Sequence, residues 1–128
     1  MAIPDISERV WRFIADSIDT VPQLEALLLL CESADQGWTL HQVAARIYVS
    51  EEAAREILRT LQQRSLICMD GTATLYRCVP ATGSSAGLLD EVAKAYRRNI
   101  VPIATFIHSK APASVREFAR AFDFKKDR

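Results

Sequence analysis

The sequence predicts a mainly α protein whose centre is a helix-turn-helix followed by a small antiparallel β-hairpin. A helix precedes this unit, and a long helical extension follows it. Three observations carry the prediction. Leu40, Val43, Ala44 and Ile47, then Ala53, Ala54, Ile57, Leu58 and Leu61, repeat at the three-and-four spacing of amphipathic helices with one buried face. Only Tyr48, Val49 and Ser50 break the pattern between the two helices, which must therefore cross at a steep angle. After the second run, Leu66 to Met69 and Thr74 to Val79 carry β-forming residues around the turn signal Asp70-Gly71.

The ends of the two central helices are marked. Thr39 with Gln42 forms a capping box, and Ser50 caps the helix that runs to Arg64. Glu51 and Glu52 then lie in its first turn, where the helix dipole favours negative charge. Ala44 is small where the two helices approach, and Val49 is an apolar plug in the turn.

Helix, turn, helix and hairpin in this order make a winged helix-turn-helix. The stretch IYVSEEAAREILRTLQQRSLI resembles the DNA-binding module of bacterial winged-helix transcriptional regulators, the MarR-like group included, and the resemblance spans about residues 21–79. It departs from the family pattern at Tyr48 and Ser65, where relatives often have glycine and where a left-handed residue costs more without it. The resemblance implies a homodimer that inserts the helix 51–64 into the major groove of double-stranded DNA. The candidate contacts on its outward face and the wing are Ser50, Glu52, Arg55, Arg59, Gln62 and Arg77. Arg and Gln can read base edges, Ser50 can hold a phosphate, and Arg55 sits in the early turns that reach the groove floor.

Charge argues in the other direction. Sixteen Lys/Arg cancel sixteen Asp/Glu over the chain. Glu51, Glu52 and Glu56 offset Arg55, Arg59 and Arg64, and the wing has one basic residue, Arg77, balanced by Asp70. Affinity for nucleic acid rests mostly on phosphate neutralisation. The alternative is therefore a non-enzymatic winged-helix module that docks a protein partner in signalling or regulation and binds no DNA.

The remaining elements follow in chain order. Residues 5–18 form a first helix, capped by Asp5 with Glu8, that buries Ile6, Val10, Phe13, Ile14 and Ile18 and leaves Trp11 at the edge of the stripe. Residues 21–33 form a second helix capped by Thr20 with Gln23. Its LEALLLL run is apolar on nearly every side, so it is the central helix, covered on more than one face. Ala34 to Gly37 is a loop, and Trp38 is a short strand that pairs with the wing. The hairpin ends at Pro80, and Ala81 to Gly87 has a linker's composition, dividing residues 1–80 from an extension at 88–128. In that extension Leu89, Val92, Tyr96, Ile100, Ile103 and Ile107 make a heptad-like seam. The seam is the candidate dimer interface, and folding back over the LEALLLL helix within one chain is its alternative. Pro102 should kink or split this helix near Asn99, and Ser114 with Glu117 starts a last helix to Phe122 before a charged tail. Residues 1–87 carry seven Lys/Arg and eleven Asp/Glu, net −4, whereas residues 88–128 carry nine and five, net +4, which suits docking of one half on another.

Other functions find little support. His41 and His108 lack neighbours at metal-ligand spacing, there is no glycine-rich phosphate loop, and no catalytic constellation is found. We therefore expect no enzyme, cofactor or metal. No stretch is long and apolar enough to span a membrane, and the first residues do not open a signal peptide. The odd count of cysteines, Cys31, Cys68 and Cys78, argues against a disulfide framework and for a reducing cytoplasm. Some winged-helix regulators sense oxidants through cysteine, but Cys68 and Cys78 lie on the two wing strands without facing one another, and small core filler is the better reading of these thiols.

Overall fold

The computed structural model describes residues 6–32, 36–72, 74–79 and 87–110. Asp5, most of the linker at 81–87, the last helix at 114–122 and the charged tail lie outside the described residues. The element order is α1 (Glu8–Ser17), α2 (Val21–Glu32), α3 (Leu40–Ile47), α4 (Glu51–Gln63), β1 (Ile67–Asp70), β2 (Leu75–Cys78), α5 (Leu88–Arg98) and α6 (Ile100–Ser109).

α2 is the hub. Leu24, Ala26, Leu27 and Leu30 are fully buried, which explains why its run is apolar on several sides. α3 and α4 cover one side, the wing another, and α5 and α6 a third. α1 lays Val10 and Ile14 against the same core, with Ile6 and Ile18 at its two ends. The cap of α1 is Ser7, whose hydroxyl accepts from the Val10 N–H at 3.3 Å. At α2 the Thr20 hydroxyl accepts from the Gln23 N–H at 3.2 Å, while the Gln23 carboxamide reaches back to the Asp19 N–H at 2.8 Å.

The hairpin pairs Ile67 with Cys78, Cys68 with Arg77, Met69 with Tyr76 and Asp70 with Leu75. Trp38 pairs with the wing, as expected, but only through a single-residue bridge to Tyr76, with reciprocal backbone bonds of 2.9 and 2.8 Å. The loop turns differently from the Asp70-Gly71 signal. The left-handed residue is Thr74, at φ 55°, and the Asp70 carboxylate holds the bend by accepting from the Thr72 N–H and hydroxyl. Gly37 is needed for a different reason: a Cβ there would lie 2.7 Å from the Cβ of Leu75.

Two expectations need correction. First, Cys31 and Cys78 are not separate core fillers. They form a disulfide between the end of α2 and the end of β2, with their Cα atoms 5.0 Å apart, and Cys68 is left over and exposed. An odd count excludes complete pairing, not a single bridge. Second, the heptad-like seam is mostly spent within one chain. Val92, Ile103 and Ile107 are fully buried and Tyr96 nearly so, against α1 and α2, while Leu89 is half-buried and Ile100 is exposed. The physical reason is the break at Asn99. It separates α5 from α6, so the six positions do not form one straight stripe for a partner. Pro102 falls in the first turn of α6, where its missing N–H costs nothing.

Opposite charges fasten the extension to the rest. Arg97 pairs with Glu32 at 2.9 Å, Arg9 with Glu91 at 3.0 Å, and the Tyr96 hydroxyl donates to Glu25 at 3.0 Å. Burial, and then the Glu25 carboxylate that accepts its proton, push the Tyr96 phenol up to about 12.

Candidate nucleic-acid interface

The turn between α3 and α4 sets the direction of α4. Tyr48 adopts the left-handed conformation at φ 61° and ψ 47°, and the Val49 N–H returns to the Ala44 carbonyl at 3.1 Å. The end of α4 repeats this geometry. Ser65 is left-handed at φ 62°, and the Leu66 N–H returns to the Leu61 carbonyl at 3.0 Å. Both are Schellman closures, completed by a half-buried apolar residue, Val49 or Leu66. Tyr48 and Ser65 therefore make both closures without glycine. Thr39 and Gln42 form both bonds of the capping box.

α4 buries Ala54, Leu58 and Leu61 and turns Glu51, Glu52, Arg55, Glu56, Arg59 and Gln63 to solvent. Gln62 is half-buried. Glu52, Arg55, Arg59 and Gln62 or Gln63 follow one another at helical spacing along the outer face. The Ser50 hydroxyl accepts from the Ala53 N–H at 3.0 Å, so it serves as the cap. Arg59 leans on Glu56 at 3.4 Å, an exposed pair of little energetic weight. Arg55 has no hydrogen-bond or ion-pair partner among the described residues.

Two charges behave otherwise than their positions suggested. Arg64 does not join the outward face. Its guanidinium donates to the Ser17 carbonyl at 2.6 Å and to Asp19 at 2.7 Å, which fixes α4 to the junction between α1 and α2. Glu51 meets His41 Nδ1 at 2.7 Å across the turn. Sequence reasoning missed this pair. Ten positions separate the two residues, and only the crossing angle of α3 and α4 brings both helix starts together. On the wing, Arg77 stands opposite Cys68 and is half-buried. Among the described residues no group of three His, Cys, Asp or Glu could hold a metal ion, and no helix is long and apolar enough to cross a membrane.

No family model matches the chain, and no curated protein does. Solved structures do. A MarR family protein from Bacillus stearothermophilus superposes with a TM-score of 0.51 at 16% identity, covering 94% of this chain and 81% of that one. S. aureus MepR bound to ethidium bromide gives a TM-score of 0.50 at 17% identity, covering 93% and 84%. The fold is that of a MarR-like winged helix. The likeness extends well beyond residues 21–79 to take in the first helix and the extension.

Proposed function

We propose that the chain is a DNA-binding transcriptional regulator, not an enzyme, which works as a homodimer and inserts α4 into the major groove. Residues 1–80 form the DNA-binding domain and residues 88–128 the extension that pairs with a second copy. The observation that carries this reading is the outer face of α4. It presents Arg55, which has no partner among the described residues, flanked by Glu52, Arg59 and Gln62, on a helix held at its start by Ser50 and at its end by the Arg64–Asp19 bond. A long flexible cation in solvent is free to make a bidentate contact with guanine. Arg77 on the wing would bind the backbone beside it. Within the extension, Ile100 and Val101 are 51% and 73% exposed, and they are the apolar surface offered to the second copy.

The second reading, a winged helix that docks a protein partner, is favoured by the acidity of the same face. Glu51, Glu52 and Glu56 surround Arg55 and Arg59. Fluorescence anisotropy with genomic fragments at two salt concentrations separates the readings. A regulator binds at low salt and loses affinity as salt rises, and Arg77→Ala weakens specific and random DNA alike with a flatter salt slope. Undetectable binding at low salt would leave the docking module.

A further inference from the structure

We propose that Cys31 and Cys78 form a reversible redox latch that holds the wing to the central helix. The bond joins the last turn of α2 to the last residue of β2, and it closes a loop of 47 positions containing the whole helix-turn-helix and hairpin. Without the bond, the end of β2 is held by its ladder to β1, the Val79 N–H to the Leu66 carbonyl at 3.2 Å and the Trp38 bridge to Tyr76. These contacts lie within the wing or at its edge, and beside them β2 packs noncovalently against α2. The disulfide is the covalent tie from the wing to α2.

The bond can be reached. A groove of about 200 Å³ between α2 and α5 runs past Leu28, Cys31, Glu32, Ala93 and Arg97. It leaves Cys31 open to the sulfur end of a small thiol or of a low-molecular-weight disulfide such as glutathione disulfide. Closure is a two-step exchange. The Cys31 thiolate attacks one sulfur of the small disulfide, making a mixed disulfide and releasing one small thiol. The Cys78 thiolate then displaces the second small thiol. Two cysteine thiols are oxidised to one disulfide, and one small disulfide is reduced to two thiols, which carry the two protons. Reduced small thiol reverses both steps.

Cys68 is not part of the latch. It pairs with Arg77, whereas Cys78 pairs with Ile67, so the two cysteines lie on opposite faces of the hairpin. The latch stands on this geometry, and only its effect on DNA rests on the regulator reading.

The test equilibrates the full chain in glutathione buffers of graded ratio. Maleimide gel shifts count thiols, and hydrogen exchange follows the amides of residues 67–79 in the same samples. The latch predicts one transition of two thiols, unchanged in Cys68→Ser and absent in Cys31→Ser and in Cys78→Ser. It also predicts exchange about tenfold or more faster in the reduced wing. Reduction of the wild-type chain makes the same comparison if either variant fails to fold. Three free thiols in fully oxidised glutathione, or a disulfide that resists reduced glutathione, would overturn the proposal, as would wing exchange equal in both states. Neither readout needs DNA, so a working latch on a protein that binds none would count against the regulator reading alone.

Discussion

Tyr48 holds a left-handed backbone while its side chain is 92% exposed, so no side-chain burial offsets the conformation. The left-handed state costs a residue with a Cβ roughly 1–2 kcal/mol, and glycine would return part of that gain as lost chain entropy. Tyr48→Gly should therefore raise stability by about 0.5–1 kcal/mol, read as a higher urea midpoint with an unchanged slope. Tyr96 gives a pH signature. Its folded-state pKa lies near 12, above its ordinary value of 10. Its contribution is complete below pH 10 and is lost as pH rises through 12, because the unfolded phenol ionises first. Unfolding free energy should fall between those limits by on the order of 2 kcal/mol, and Tyr96→Phe should remove that part of the fall. A wild-type and variant with parallel pH profiles would show that the phenol is not held by burial and Glu25. At this scale the sequence was readable where a bond is local: Thr39 to Gln42, Ser50 to Ala53, Thr20 to Gln23. It was silent where partners are far apart in the chain. Arg64 on Asp19, His41 on Glu51 and Cys31 on Cys78 depend on how helices cross, which periodicity does not encode.

Among the elements, the break between α5 and α6 has the largest consequence. A single straight helix would align Leu89, Val92, Tyr96, Ile100, Ile103 and Ile107 for a partner. The break at Asn99 instead lets Val92 and Tyr96 pack on α1 and α2 and turns Ile103 and Ile107 inward from a separate helix. Trp11 packs edge-on against Phe106 with ring centroids 4.9 Å apart, closing α6 over α1. This geometry separates two substitutions that the sequence alone makes equivalent. Ile103→Glu places a charge at a fully buried site and should unfold the chain, seen as lost helical ellipticity. Val101→Glu, at a site 73% exposed, should leave the fold intact and convert a dimer into a monomer by light scattering. A wild-type monomer at tens of micromolar would rule this interface out. The element types and most boundaries were legible because each apolar run has one period and a marked cap. Pro102 even located the break near Asn99. The choice between pairing across chains and folding back was not legible, because both bury the same seam.

At the scale of the whole molecule, α2 is surrounded by its own chain, and the outer faces of α4 and the wing are left to function. Among the described residues, the acidic first part and the basic extension meet through Arg97–Glu32 and Lys110–Asp19. That leaves a helix face of mixed sign, and on the regulator reading proposed above DNA affinity would come from a few cations in good geometry. On the proposed reading, Arg55 is the base-reading residue of a major-groove helix. It is tested most directly by anisotropy titration of the wild type and Arg55→Ala against a selected binding site and against random duplex at matched salt. Arg55→Ala should lose about 1–3 kcal/mol on the selected site and change little on random duplex. Equal losses on both duplexes, or none on the selected site, would contradict it.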